Sequence, residues 1–211
     1  MTDMTYMARP KLQRRGWLYE ILETVVLIVS IWALVDLASV RFYVDGHSMQ
    51  PNFCSEQRVI VSRLNYMLGE PERGEIIVFQ RPDRPSDAPP LIKRVIGLPG
   101  ETVKIENTQI YIDDEPLYEP YINETCSASR CRDNIWDPLG QNEYFVMGDN
   151  RNNSTDSRTF GKISRENIIG EALIRYWPPD KWGLLHKIRY PDNPFITDAA
   201  PQTTAPVCPP D

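Results

Sequence analysis

Histidine is scarce in this chain: His47 and His186 are the only two among 211 residues. A Ser–His–Asp arrangement therefore has little to draw on, and His186 has no acid partner at a motif spacing. In VDGHSMQPNF (44–53) His47 stands beside Ser48. Neighbouring side chains on extended backbone point to opposite faces, so His47 is poorly placed to take the Ser48 proton. The patterns G-x-S-x-G, S-x-x-K and H-E-x-x-H are missing as well. Basic charge is also in deficit. The formal net charge is -6, and Arg9, Lys11, Arg14 and Arg15 crowd into the first sixteen residues against Asp3 alone, which leaves the remainder more acidic still. An acidic body excludes nucleic acid as a partner, because phosphates need a basic surface. The four cysteines, Cys54, Cys126, Cys131 and Cys208, include one C-x4-C with no second pair and no nearby histidine. That spacing supports no zinc site, and neither a metal nor a cofactor is expected.

A long charge-free apolar run is lacking too. Within WLYEILETVVLIVSIWALVDLASV (17–40) only Thr24 to Val35 is free of charge, and so short a stretch does not span a bilayer by itself. With the span centred near Val29, however, Glu23 lies about 9 Å and Asp36 about 10 Å from the midplane. Both then sit toward the edges of the hydrocarbon, where carboxylates reach headgroups. The run is apolar all round, unlike the striped helix of a soluble core. It also lacks the small-residue cleavage site of a removable signal peptide, since Asp36 and Leu37 precede the candidate positions. Residues 17–43 are therefore expected to form an uncleaved single-pass anchor. The basic residues 1–16 are expected in the cytoplasm by the positive-inside rule, with 44–190 an extracytoplasmic domain at the cell membrane. There a disulfide would persist, and ETCSASRCRD favours Cys126 with Cys131, free thiols being the other reading; the partners of Cys54 and Cys208 stay open.

Beyond the anchor, helical periodicity is almost absent and no internal repeat is visible. RVIVSRL (58–64), EIIVFQRP (75–82), LIKRVIGL (91–98), TVKIE (102–106), QIYID (109–113) and EYFVMGD (143–149) are rich in Val, Ile, Tyr and Phe and are bounded by turn formers such as GEPERG and GLPGE. They predict a mainly β fold with an open or barrel-like sheet. Residues 114–142 hold the cysteine loop without a long strand and read as an insertion. The proline-rich 191–211 has no core pattern and is expected to be a disordered tail.

A serine hydroxyl needs a base within hydrogen-bond reach. Lysine serves where desolvation strips its proton near neutral pH. Lys93 lies mid-strand in LIKRVIGLPG, with Leu91 and Val95 on its face and Arg94 turned toward possible carboxylate partners. By itself this is weak, since most strand lysines are solvated. GDNRNNSTDSR (148–158) adds a loop dense in hydroxyls and opposed charges, in which Asp156 and Arg158 are spaced to pair.

Together, Ser48-Met49-Gln50-Pro51, KRVIGLPGE (93–101) and GDNRNNSTDSR closely resemble the S-M-x-P, K-R-V-I/V-G-x-P-G-E and G-D-N-R-x-N-S-x-D-S-R patterns of bacterial type I signal peptidases. FGKIS and NIIGEALIRYWP resemble that family's closing segment, and the likeness runs from about Trp17 to Gly183. The resemblance implies a membrane-anchored serine endopeptidase with a mainly β catalytic core and an inserted second region. It implies Ser48 as nucleophile, neutral Lys93 as general base and Ser154 orienting the amine. Asp156 and Arg158 would brace the loop, while Gly148 and Asp149 shape the wall beside the pair. The implied partners are preproteins bearing signal peptides, the lipid bilayer and a place near the export machinery. Two positions depart from the pattern. Gly46 lacks the hydroxyl some relatives carry two residues before the nucleophile, a donor worth about 2–4 kcal/mol to an oxyanion. Asn52 stands where threonine is usual. Self-cleaving repressors share the Ser–Lys chemistry but carry a helix-turn-helix and no span. An inactive anchored module that binds peptides is the reading from a different class.

Overall fold

The computed structural model describes residues 16–185 and Cys208. The basic N-terminal stretch, His186 and all of the proline-rich tail except Cys208 fall outside those residues. The chain divides into two compact units, 1–37 and 38–211.

The first unit is a helix, α1 (Trp17–Ala38), of 22 residues, none of them buried against protein. At 1.5 Å per residue it is about 33 Å long, enough to cross a hydrocarbon layer of about 30 Å. Among the described residues it is the one helix long and apolar enough to do so. The N-terminal apolar helix fits a membrane-anchored protein.

The second unit is β-rich. Its main sheet is antiparallel and follows the order β1 (Ser39–Tyr43), β2 (Arg58–Ser62), β11 (Ile168–Trp177), β3 (Ile76–Phe79), β4 (Leu91–Gly97), β9 (Glu143–Met147) and β10 (Ile163–Ser164), with the short β12 (Gly183–Leu184) also on β11. A smaller antiparallel sheet runs β7 (Glu115–Pro116), β6 (Gln109–Ile112), β5 (Val103–Glu106) and β8 (Asn134–Trp136). Two single-turn helices, α2 (Asn65–Leu68) and α3 (Ser157–Phe160), lie between strands, and the second carries Arg158. The mainly β expectation holds.

Two boundaries differ from the sequence reading. Residues 39–43, read as the end of the anchor, form β1, because SVRFY pairs in register with RVIVS from Ser39–Ser62 to Tyr43–Arg58. The smaller sheet draws β7 and β8 from 114–142 but takes its two longer strands from 103–112, so that segment completes a sheet begun before it.

Strand β3 is buried on both faces, and its alternation divides the core. Ile76 and Val78 join Val44, Met49, Phe53, Val59, Val61, Ile92 and Ala172 on one side. Ile77 and Phe79 join Val95, Tyr144, Val146 and Ile163 on the other. Each such side chain contributes about 1.5–3 kcal/mol by leaving water. A third cluster seats the smaller sheet, through Val103, Ile105, Ile110 and Ile112, on Ile96, Phe145 and Met147. Gly170 of β11 lets that strand press on β2: a Cβ there would lie 2.3 Å from the Ser62 carbonyl oxygen.

Candidate active site

Ser48 sits in the turn-rich connection from β1 to β2. Val44 N–H donates to the Gln57 carbonyl at 2.8 Å, Glu56 N–H to the Val44 carbonyl at 2.9 Å and Phe53 N–H to the Met49 carbonyl at 2.9 Å. Met49 and Phe53, both buried, pin the loop to the core. A disulfide joins Cys54 to Cys208, so these two cysteines, left open by the sequence, are partners. Ser48 itself is half-buried.

Lys93 comes from the middle of β4, opposite Ile77 of β3. Apolar strands on either side leave the residue only 3% exposed. Its Nζ lies 2.7 Å from Ser48 Oγ and donates to the Ile92 carbonyl at 2.9 Å. Burial dominates the proton balance and brings the amine down to about 8, against the opposing pull of the Asp156 and Asp149 carboxylates. The structure thus brings Ser48 and Lys93 into direct contact across 45 residues of sequence. His47 is turned elsewhere, its Nδ1 being 3.1 Å from Gln50 Nε2.

The loop after β9 closes the site. Gly148 approaches so nearly that a Cβ would stand 2.3 Å from Ser154 Oγ and 2.4 Å from the Ser48 carbonyl oxygen. Asn150 N–H donates to that same carbonyl at 3.1 Å, tying the two loops together. Ser154 Oγ is buried between Gly148 and the Asp156 carboxylate, which it helps to hold ionised, and makes no hydrogen bond to Lys93. Asp156 caps α3 and accepts from Gly148 N–H at 3.0 Å. Burial pushes its carboxyl up, but the Arg158 guanidinium and the Gly148 N–H outweigh burial and hold it below the usual carboxylate range. Arg158 grips it in two places, Nε to Oδ1 at 2.8 Å and Nη2 to Oδ2 at 2.7 Å.

Asp149 forms a second fork with Arg94, at 2.7 and 2.6 Å, and both side chains are almost wholly buried. Such a pair adds little net stability relative to apolar residues, but it fixes geometry, and removing one partner is costly. The sequence singled out neither Asn52, Tyr121, Glu119 nor Arg151 as site residues. Asn52 Nδ2 donates to Asp149 Oδ2 and to the Tyr121 carbonyl, both at 2.8 Å. Buried Arg151 pairs with Glu119 and donates to the Gly148 carbonyl at 3.0 Å. Arg151 lies inside the 148–158 motif, which is the one signal that could have found it.

A half-buried hydroxyl against a desolvated amine suits nucleophilic attack on a carbonyl. The Ser48 N–H, which donates to no acceptor among the described residues, is available to a developing oxyanion. The family described as "Signal peptidase, peptidase S26" matches residues 14–177. Signal peptidase I of Leptolyngbya laminosa is 40% identical over 169 residues, 77% of this chain and 79% of that one. Probable signal peptidase I-1 of Synechocystis sp. is 39% identical over 166 residues, 76% of this chain and 82% of that one. A crystal structure of a signal peptidase I from Enterococcus faecalis V583 aligns with a TM-score of 0.43 at 32% identity, over 49% of this chain and 97% of that chain. On the family match and the sequence relatives, the chain belongs to the signal peptidase family, peptidase S26, a family of serine endopeptidases.

Proposed function

We propose that this chain removes signal peptides from exported preproteins, with Ser48 as nucleophile and neutral Lys93 as general base. The observation that carries the reading is the 2.7 Å approach of Nζ to Oγ around an amine brought to about 8. With that value, about a quarter of the amine is unprotonated at pH 7.5, against about a thousandth for an ordinary lysine.

In this reading Ser48 Oγ bonds to the scissile carbonyl carbon as its proton passes to Lys93 Nζ. The carbonyl electron pair becomes an oxyanion facing the Ser48 N–H. Collapse breaks the C–N bond, and the Lys93 ammonium returns the proton to the departing amine. A water, deprotonated by Lys93, then attacks the acyl-serine, and the second collapse restores the Ser48 hydroxyl. Ser154, whose buried hydroxyl packs against Gly148, is the residue the family resemblance assigns to orienting the Lys93 amine during turnover. Asp156 with Arg158, and Asp149 with Arg94, hold the wall around it.

The family resemblance implies the substrate class, preproteins whose signal peptide ends in small residues at the first and third positions before the cut. The N-terminus lies in the cytoplasm and the β-rich unit outside, where both disulfides persist. Confining enzyme and preprotein to one bilayer raises their effective concentration and places the enzyme where preproteins leave the export machinery.

Cleavage of a preprotein in detergent tests the reading. Ser48→Ala and Lys93→Met each lose roughly a thousandfold or more in kcat/KM, while His47→Ala stays within a few-fold of wild type. Substantial activity in Lys93→Met overturns the assignment. Protease added outside spheroplasts degrades the β-rich unit; complete protection would contradict the orientation.

A further inference from the structure

We infer that the Cys126–Cys131 disulfide is a positioning element of the active site: it seats Arg158 against Asp156 and so limits how strongly that carboxylate holds a proton on Lys93. The inference rests on the Ser48–Lys93 reading and adds a chain-specific device to it.

The two sulfurs are bonded to each other and nearly buried, Cys126 being 6% and Cys131 1% exposed. Both lie 3.3 Å from one atom, Arg158 Nη1. The same Nη1 donates to the Arg151 carbonyl at 2.8 Å and to the Arg130 carbonyl at 3.5 Å. One edge of the guanidinium therefore rests on the cysteine clip, while Nε and Nη2 face the Asp156 carboxylate. The clip is docked separately on the loop that carries Arg158. Ser127 N–H donates to Asn152 Oδ1 at 2.8 Å, and Asn152 Nδ2 donates to the Thr125 carbonyl at 3.3 Å. A six-residue ring closed by a covalent bond gives Arg158 a floor that cannot spread. Sulfur is a weak acceptor, so its contribution is shape and position rather than charge.

Position matters because of the company around the amine. Ile77 of β3 faces Lys93, and Met147 of β9 faces Arg94. The charges that act on Lys93 are the Asp156 and Asp149 carboxylates, each forked by an arginine, Arg158 and Arg94; the Glu119–Arg151 pair and the exposed His47 are the other ionisable groups of the neighbouring loops. Asp156 is the larger of the two carboxylate influences that favour the ammonium. Arg158 offsets it only while the fork stays closed. If the clip opens, Arg158 gains room to swing away, Asp156 acts on Lys93 less compensated, and the amine holds its proton to higher pH.

The test is the pH profile of kcat/KM for the full-length protein in detergent micelles. It compares wild type, Cys126→Ala/Cys131→Ala, Asp156→Asn, Arg158→Gln, and the triple variant Cys126→Ala/Cys131→Ala/Arg158→Gln. The clip variant is expected to move the acid limb upward by up to about one pH unit. A one-unit move from about 8 costs about ninefold at pH 7 and about 1.1-fold at pH 10. Asp156→Asn moves the limb the opposite way. Arg158→Gln moves it upward by itself, and in the triple variant loss of the clip adds nothing further, since the guanidinium it positioned is gone. A partly misfolded preparation lowers the whole profile without moving its midpoint, so poor folding does not imitate the result. An unmoved limb, or a further upward shift when the clip is lost in the Arg158→Gln background, overturns the inference while leaving the Ser48–Lys93 pair standing. Failure of that pair shows differently, as activity in Lys93→Met.

Discussion

Lys93→Met abolishes turnover in this account, yet it also stabilises the fold at neutral pH. The folded amine titrates near 8 against 10.5 for an ordinary lysine, because burial disfavours its charge. Below pH 8 both folded and unfolded states are protonated, and burying the ammonium costs about 3 kcal/mol, at about 1.4 kcal/mol per unit. Between 8 and 10.5 the unfolded state binds more protons than the folded one, so wild-type stability rises with pH. Above 10.5 the penalty is gone. Methionine never carries it, but the variant forfeits the contacts of Nζ with Ser48 Oγ and the Ile92 carbonyl, about 1 kcal/mol each. The variant is therefore more stable by about 1 kcal/mol below pH 8 and less stable by about 2 kcal/mol above 10.5, with the sign changing between. Urea unfolding in detergent, followed by tryptophan fluorescence from pH 6.5 to 10.5, reads this directly. A stability difference constant across that range would show that the amine is not desolvated, and the reasoning would fail.

Gly148→Ala would force a Cβ into the Ser48 carbonyl, which cannot yield without moving the nucleophile. Its kcat should fall by about a hundredfold, the scale of a misplacement near 1 Å, while a noncovalent product peptide still binds within a few-fold. Asp149→Ala removes the carboxylate fork from the buried Arg94 guanidinium, costing about 3–5 kcal/mol in chemical denaturation, whereas replacing both Asp149 and Arg94 by leucine recovers most of that. Peptide mapping without reductant should find Cys54 linked to Cys208 and Cys126 to Cys131, with no thiol labelled in the intact protein.

The legible parts of this molecule are those with local signals. Runs of Val, Ile, Tyr and Phe marked β2, β3, β4, β5, β6 and β9 to within a residue or three at each end. The ten-residue β11 escaped because Gly170, Glu171 and Ala172 interrupt its alternation, and its pairing with β2 shifts register at Ala172/Ile174 and Arg175/Trp177. Strand β1 was hidden by following the anchor without a break. At the site, Ser48, Lys93 and the 148–158 loop were each weak singly and became specific only as an ordered set of motifs. What stayed unread depends on distant partners. Nothing near Asn52 announces Asp149 and Tyr121, nothing near Arg151 announces Glu119, and Cys54 meets Cys208 across 154 residues. Ser154 illustrates the reverse. The motif implies a contact with the lysine, whereas the folded hydroxyl stands buried between Gly148 and the Asp156 carboxylate, without a hydrogen bond to Lys93.

The most direct test is titration of the Lys93 amine itself in the full-length protein, through the 13C shift of its ε-methylene in micelles, assigned by comparison with Lys93→Met. A midpoint near 8, moving toward the ordinary lysine range when the chain is unfolded, is what the account requires. A folded-state midpoint near 10.5 would mean that the alcohol at residue 48 has no base beside it, and the proposed chemistry would not stand.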